Sequence, residues 1–423
     1  MKIKFTLLAL TLLISINSMA QFSIDGEFRP RTEFRNGYGN IIADGAEPGF
    51  GVSTRTRLNF GYKTDAYKFY LSFQDVLTWG ENRQLLPQDA NDSFSIFQAW
   101  ADIALGSGWS TKLGRQTIIY DDQRIFGAVG WAQQARNHDA AIIKYKKDKF
   151  MFDIGLAFSQ DGSGLAGFSS VGSTYNTSGF FTYKTMFYGY AKKKWSNFSG
   201  SLLFLANGFQ NELATGNTEV SYLTTVGSHL NFKKGRFGVA SNIYIQGGQR
   251  LGKVDVKGAY LISLDVSVKA SDKVELGIGA EVISGNDAEA GSTGAFFPLY
   301  GTNHKFNGFM DYFYVGNHAN SIGLFDVHAS AKLKLGKSTL LVKVLNFSGE
   351  QELASGEKSL GTELDLVLTK PIKSGKLQIG YSQMFASDGL YELKGTTKEL
   401  AASGQNWAWV QLTLTPKFLN TTK

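Results

Sequence analysis

The sequence predicts an all-β protein, a transmembrane antiparallel β-barrel of about eighteen strands with long extracellular loops and short periplasmic turns. Three observations predict it. Segments of roughly ten residues alternate polar and apolar along most of the chain, and the connections between them alternate short and long. No mature stretch approaches the roughly 20 consecutive apolar residues of a membrane helix. In lipid only helices and closed barrels satisfy every backbone group, so a membrane protein with these traits has to be a barrel.

The chain opens with MKIKFTLLALTLLISINSMAQ. Lys2 and Lys4 form a positive n-region, Phe5 to Ile16 an apolar h-region, and Ser18-Met19-Ala20 a small-residue cleavage site before Gln21. Residues 1–20 are therefore expected to be a secretory signal peptide and residues 21–423 a single barrel domain in the outer membrane of a Gram-negative bacterium. There is no cysteine, which excludes disulfide staples, thiol catalysis and Cys-based zinc sites. Abundant aromatics (32 Phe, 18 Tyr, 7 Trp) with only 6 Pro suit long, uninterrupted strands. The formal net charge of +7 becomes +5 once Lys2 and Lys4 leave with the leader. That is a bias toward anionic partners, although ordinary solubility would also account for it.

The first mature stretch, FSIDGEFRPRTEFR, sets the pattern. Ser23, Asp25, Glu27, Arg29, Arg31, Glu33 and Arg35 share one face, and Phe22, Ile24, Phe28 and Phe34 share the other. Slipping it by one residue would aim its charges at lipid, at roughly 2–4 kcal/mol for each Arg near the midplane. The charges therefore belong in an aqueous lumen. Pro30 calls for a bulge or a local lapse in pairing. In the next segment Arg55, Arg57 and Asn59 oppose Leu58, Phe60 and Tyr62. Phe150 to Ser159, Phe325 to Leu335 and Trp407 to Phe418 alternate in the same way, whereas Thr339 to Phe347 is apolar on both faces and its register stays open. Tight connections fall at 63–66, 106–108, 147–149, 233–236, 270–273 and 336–338. Long ones fall at 36–51, 78–91, 120–138, 161–179, 285–321 and 387–405.

Few motifs carry chemistry. LGKST (335–339) resembles the tail of a phosphate-binding loop, but Ala331 stands where a Gly is needed and a strand follows, so it reads as a hairpin turn. His138, His229, His304, His318 and His328 show no metal-ligand spacing, and no GxSxG segment occurs. No enzyme activity, cofactor, metal or nucleic-acid partner is expected. The richest stretch is KLGRQTIIYDDQRIFGAVGWAQQARNHDAA, 112–141, which carries Arg115, Asp121, Asp122, Arg124, Trp131, Arg136, Asn137 and Asp139. It reads either as a solvated loop of surface ion pairs or as an inward constriction where Arg forks and an aromatic plate meet a sugar acid.

The segments EFRPRTEFR, STRTRLNFGY, FQDVLTWGE, LGRQTIIYDDQRIFGAVGWAQQARNHDA and PLYGTNHKFNGFMDYF resemble the alginate export family of outer-membrane proteins. The resemblance implies an eighteen-stranded barrel with a basic lumen that passes an anionic, uronate-containing polysaccharide or oligosaccharide. It implies pore-lining roles for Arg115, Arg124, Trp131 and Arg136, and more loosely for Arg29, Arg31, Arg55 and Arg57. The protein is expected to be a monomer in contact with outer-membrane lipid. Gating by loops or by a separate periplasmic secretion partner is left open, as is the direction of transport. The alternatives are a general or small-organic-anion porin and, from another class, a barrel enzyme or adhesin.

Overall fold

The computed structural model describes residues 21–82, 84–85, 93–159, 182–212, 218–286, 291–313, 318 and 321–421. The expected leader and the expected loop 161–179 lie outside the described residues. The first strands are β1 (Gln21–Asn36), β2 (Gly49–Lys63), β3 (Tyr67–Thr78), β4 (Ser95–Gly106), β5 (Trp109–Gln116), β6 (His138–Lys147) and β7 (Phe150–Phe158). They are followed by β8 (Thr185–Lys194), β9 (Phe198–Glu212), β10 (Thr218–Lys234), β11 (Phe237–Gln249), β12 (Asp255–Lys269), β13 (Val274–Ile283) and β14 (Ser292–Thr293). The last are β15 (Leu324–Leu335), β16 (Ser338–Ser348), β17 (Ser359–Ile372), β18 (Gly375–Ala386), β19 (Gln405–Leu414) and β20 (Lys417–Asn420).

Each wall strand pairs antiparallel with its sequence neighbours, and β19 returns to β1. The two-residue β14 lies parallel to β12, and β20 continues β19 past a break at Thr415 and Pro416. The wall is therefore a closed barrel of 18 strands. Closure leaves no open sheet edge in lipid, which is what membrane insertion requires. Pro30 pairs with Thr54 of β2, but toward β19 the ladder lapses between Phe28 and Arg31. That lapse accommodates the missing N–H.

All six short turns fall where the sequence put them, and the strand ends that bound five of the long loops do too. Two further short turns, 195–197 and 373–374, complete the short-turn end. Gln21 pairs with Lys63, and Thr421 bonds Phe22, so both described ends lie beside the short turns. Alternation also holds. Phe28, Phe34 and Leu58 are exposed on the outer wall, while Arg29, Arg31, Glu33 and Arg55 are buried inside.

The ambiguous segment 339–347 resolves through the lumen. Leu345 and Phe347 point inward and are fully buried, with Phe313 of a long loop 4.5 Å from the Phe347 ring, while Val344 stays exposed outside. Leu345 and Phe347 can face inward because protein, not water, covers them, while Lys343 of the same row donates to the Phe306 carbonyl of a crossing loop at 3.0 Å. Two buried apolar clusters lie inside the barrel, one around Tyr188, Phe126 and Tyr300 and the other around Trp407, Phe347 and Met310.

Candidate functional site

Loop 117–137 crosses the lumen. Its first part is anchored to one wall through Tyr120, Asp121 and Asp122. The Tyr120 hydroxyl donates to Asp153 of β7 at 2.7 Å. Asp121 accepts from Tyr190 at 2.8 Å, Lys192 at 2.6 Å and Ser201 at 2.6 Å, and Asn242 of β11 donates to Asp122 at 2.7 Å. Burial, then the neighbouring Tyr188 and Asp153, pushes the Tyr120 phenol well up, so this anchor stays a neutral donor.

The far part of the loop is gripped by arginines of β1 and β2. Arg29 donates to the Gly130 carbonyl at 2.6 Å and the Ala132 carbonyl at 3.0 Å. Arg31 donates to the Trp131 carbonyl at 2.9 Å, and Arg55 to the Gln133 carbonyl at 3.1 Å. Carboxylates of β1 hold the same guanidiniums in place, Glu33 on Arg31 at 3.0 Å and Glu27 on Arg55 at 2.6 Å. Three of the four predicted strand arginines are thus loop clamps. Arg57 differs, since its Nε donates to Gln74 at 2.8 Å and its guanidinium lies 3.7 Å over the Phe97 ring.

Arg124 is fully buried and ties three places together. It pairs with Glu281 of β13 and donates to Asn303 at 2.9 Å and Asn307 at 3.1 Å, both in loop 284–323. That second loop also crosses the barrel. Gln246 of β11 brackets the Phe297 backbone with two bonds of 2.8 Å, and Met310 donates to Glu363 of β17 at 2.8 Å. The loops are bonded to each other as well. Gly127 donates to Tyr300 and Thr302 to Gln123, both at 2.9 Å, and Lys305 reaches the Asp122 carbonyl at 2.8 Å.

Trp131 does not present an open plate. Its ring lies 4.7 Å from His304 at 10° and 4.8 Å from Trp409, with the Arg31 guanidinium 4.2 Å from its centroid. Arg136 rests 5.8 Å from the Tyr300 ring. Arg115 departs from its expected place. It shares the outward row of β5 with the exposed Trp109 and Leu113 and forms a bidentate pair with Asp139 at 2.8 and 2.9 Å on the outer wall. An outward residue cannot line the lumen, so Arg115 leaves the candidate set.

Above the clamp lies a cavity of about 700 Å³ bounded by Arg31, Arg35, Tyr38, Glu81, Trp131 and Asp311. Tyr38 and Asp311 are hydrogen-bonded, and Asp311 also holds His304 at 2.9 Å. Sequence reasoning missed Gln133, Glu281, Asn303, Asn307, His304 and Asp311 as members of the site. All but Glu281 lie in the two quoted blocks, 112–141 and 298–313, which were the available signal.

A closed wall with an apolar outside and a polar, loop-crossed inside is an outer-membrane β-barrel of a Gram-negative bacterium. No family model matches the chain, and a comparison with curated proteins returns no match. Solved structures do match. OccK9 (OpdG) of Pseudomonas aeruginosa superposes with TM-score 0.63 at 11% identity, covering 94% of this chain and 98% of that one. The outer membrane protein OprD of Pseudomonas aeruginosa gives 0.61 at 12%, covering 94% of each chain. OccK5 (OpdH) of the same organism gives 0.60 at 10%, covering 95% and 98%. Identities this low carry the fold alone. They overturn the resemblance to alginate export proteins, because the barrels matched are of the OprD and Occ kind. Conduction of an alginate-like polysaccharide loses its support with it.

Proposed function

We propose that the protein is a passive outer-membrane channel of the porin class, selective for small organic anions. One observation carries the reading: loop 117–137 is drawn across the lumen by arginines that bond to its peptide carbonyls. Two crossing loops suit solutes of small-molecule size rather than a polymer. A carbonyl satisfies an N–H donor but does not cancel the guanidinium charge. The inward rows of β1 and β2 hold Arg29, Arg31, Arg35, Arg55 and Arg57 against Asp25, Glu27 and Glu33, so positive charge is in excess beside the passage. In a lumen with low-dielectric walls such an excess concentrates anions and lowers their barrier to entry. No group need be chemically activated for this, and the wall residues act by field and shape.

Planar-bilayer recordings in a salt gradient test both parts. Anion preference, together with swelling of proteoliposomes in small organic acids but not in uronate oligomers, is the expected result. Cation preference, or free passage of the oligomers, would overturn the reading.

A further inference from the structure

The short-turn end of the barrel carries an uneven charge. Exposed lysines crowd it, whereas its carboxylates lie in the turns themselves, as Asp65, Asp148 and Asp272 do, or face the lumen, as Asp102 and Glu275 do. Four of the lysines sit on outward rows. Lys147 and Lys193 are both cross-strand partners of Phe150, whose ring is exposed on the outer wall. Directly opposed residues share a face, so the two ammonium groups flank that ring. The Lys193 ammonium also lies 5.5 Å from the Trp195 ring. Lys234 opposes the exposed Phe237, and Lys370 opposes Leu377, whose row continues into Leu412.

We propose that this rim binds the phosphate headgroups of anionic phospholipids in the periplasmic leaflet. The occupant follows from position. Rows bearing exposed Phe and Trp are the surface a membrane covers, so a soluble partner has no access to them. A lysine there lays its apolar stem along the neighbouring ring and lifts its ammonium to headgroup level. The cations stand in three separate sectors of the circumference, Lys147 and Lys193 together on β6 and β8 around Phe150, Lys234 on β10 and Lys370 on β17. Each sector therefore recruits its own lipid, giving an anionic annulus rather than one pocket. Lysines attract acidic lipid in this way wherever they lie at the surface of a leaflet, and salt weakens the attraction.

The test reconstitutes the full mature barrel in bilayers of phosphatidylcholine with and without phosphatidylglycerol, adding spin-labelled lipid of each kind. Several-fold enrichment of labelled phosphatidylglycerol at the protein surface, lost at high salt, is expected. A heat-modifiability midpoint shifted upward by the acidic lipid should accompany it. The K147Q/K193Q/K234Q/K370Q variant should lose both effects. Lys194, Lys233, Lys334 and Lys376 lie on lumen-facing rows, and changing them to Gln should leave both intact. If the quadruple variant does not fold, K147Q/K193Q and K234Q/K370Q should each show a partial loss. Equal association of the two lipids with the parent, or loss of enrichment in the lumen-facing set instead, would overturn the proposal.

Discussion

Arg29 of the first strand holds Gln133 of the crossing loop through two nitrogens, Nε at 3.0 Å and Nη2 at 2.8 Å from the same side-chain oxygen. Gln133 in turn donates to Ser53 of β2 at 2.9 Å. The contact spans 104 residues of chain and converts a wall charge into a fastening for the loop that crosses the lumen. The guanidinium keeps its charge while it does so, so clamp and field come from one group.

Replacing Arg29 with Ala should release the loop. The Gly130 carbonyl and the Gln133 side-chain oxygen lose their donor, and the Trp131 and Ala132 carbonyls keep only Arg31 and Arg55, which should weaken docking by about 2–4 kcal/mol. Single-channel conductance should rise and become noisy while the barrel keeps its unheated fast migration on gels. Arg29→Lys should keep the anion preference and still loosen the loop, because an ammonium cannot reproduce the fork. Unchanged conductance in both variants would sink the idea.

Arg57 separates field from clamp. It bonds to Gln74 of the wall, so Arg57→Gln should lower anion preference in a salt gradient without enlarging the channel. If conductance rose with the selectivity loss, Arg57 would belong with the clamps.

Arg124→Ala should be costly in a different currency. It would leave the buried Glu281 without its cation, at about 3–5 kcal/mol. The heat-modifiability midpoint should fall, and the double variant Arg124→Ala/Glu281→Gln should recover part of the loss. No recovery would mean that the hydrogen bonds to Asn303 and Asn307, not the ion pair, do the holding.

The outer loop 387–404 should tighten with rising pH. Lys394 follows the short helix Asp388–Leu393 and donates to the Tyr312 carbonyl at 2.8 Å, and burial lowers its pKa from 10.5 to about 8. Below about pH 8 the ammonium is charged whether the loop is docked or not, and the burial penalty is full. Between about 8 and 10.5 only the undocked lysine keeps its proton, so docking gains with pH, by about 2–3 kcal/mol in all. Protease resistance of this loop should rise from pH 7.5 to 10 in the parent and stay flat in Lys394→Met. A flat parent would refute it.

What the sequence made legible was whatever depends on a period of two. Register, the inward charges of β1 and β2, and the division into turns and loops all follow from which residues tolerate lipid. Arg115 was legible too, since Trp109, Thr111 and Leu113 share its parity, but motif position outweighed parity in placing it. The inner face of 339–347 was not legible, because the inward Phe347 answers to Phe313, which reaches it from another loop. Arg124 was marked by motif position, but its partners, 157 to 183 residues away, were not legible. Nothing local tells which residues that far along the chain a side chain will meet. The mistaken family had the same root: short blocks shared by crossing loops say that a barrel is narrowed, not what passes.

Loop 117–137 is fixed to β1 and β2 on one side and to β7, β8, β9 and β11 on the other. A hoop of strands with an empty middle flattens easily when the surrounding bilayer presses on it. One with a tie across its diameter, packed at protein density, resists becoming oval. The cross-section of this protein should therefore stay round as lateral pressure in the membrane varies, and the aperture with it.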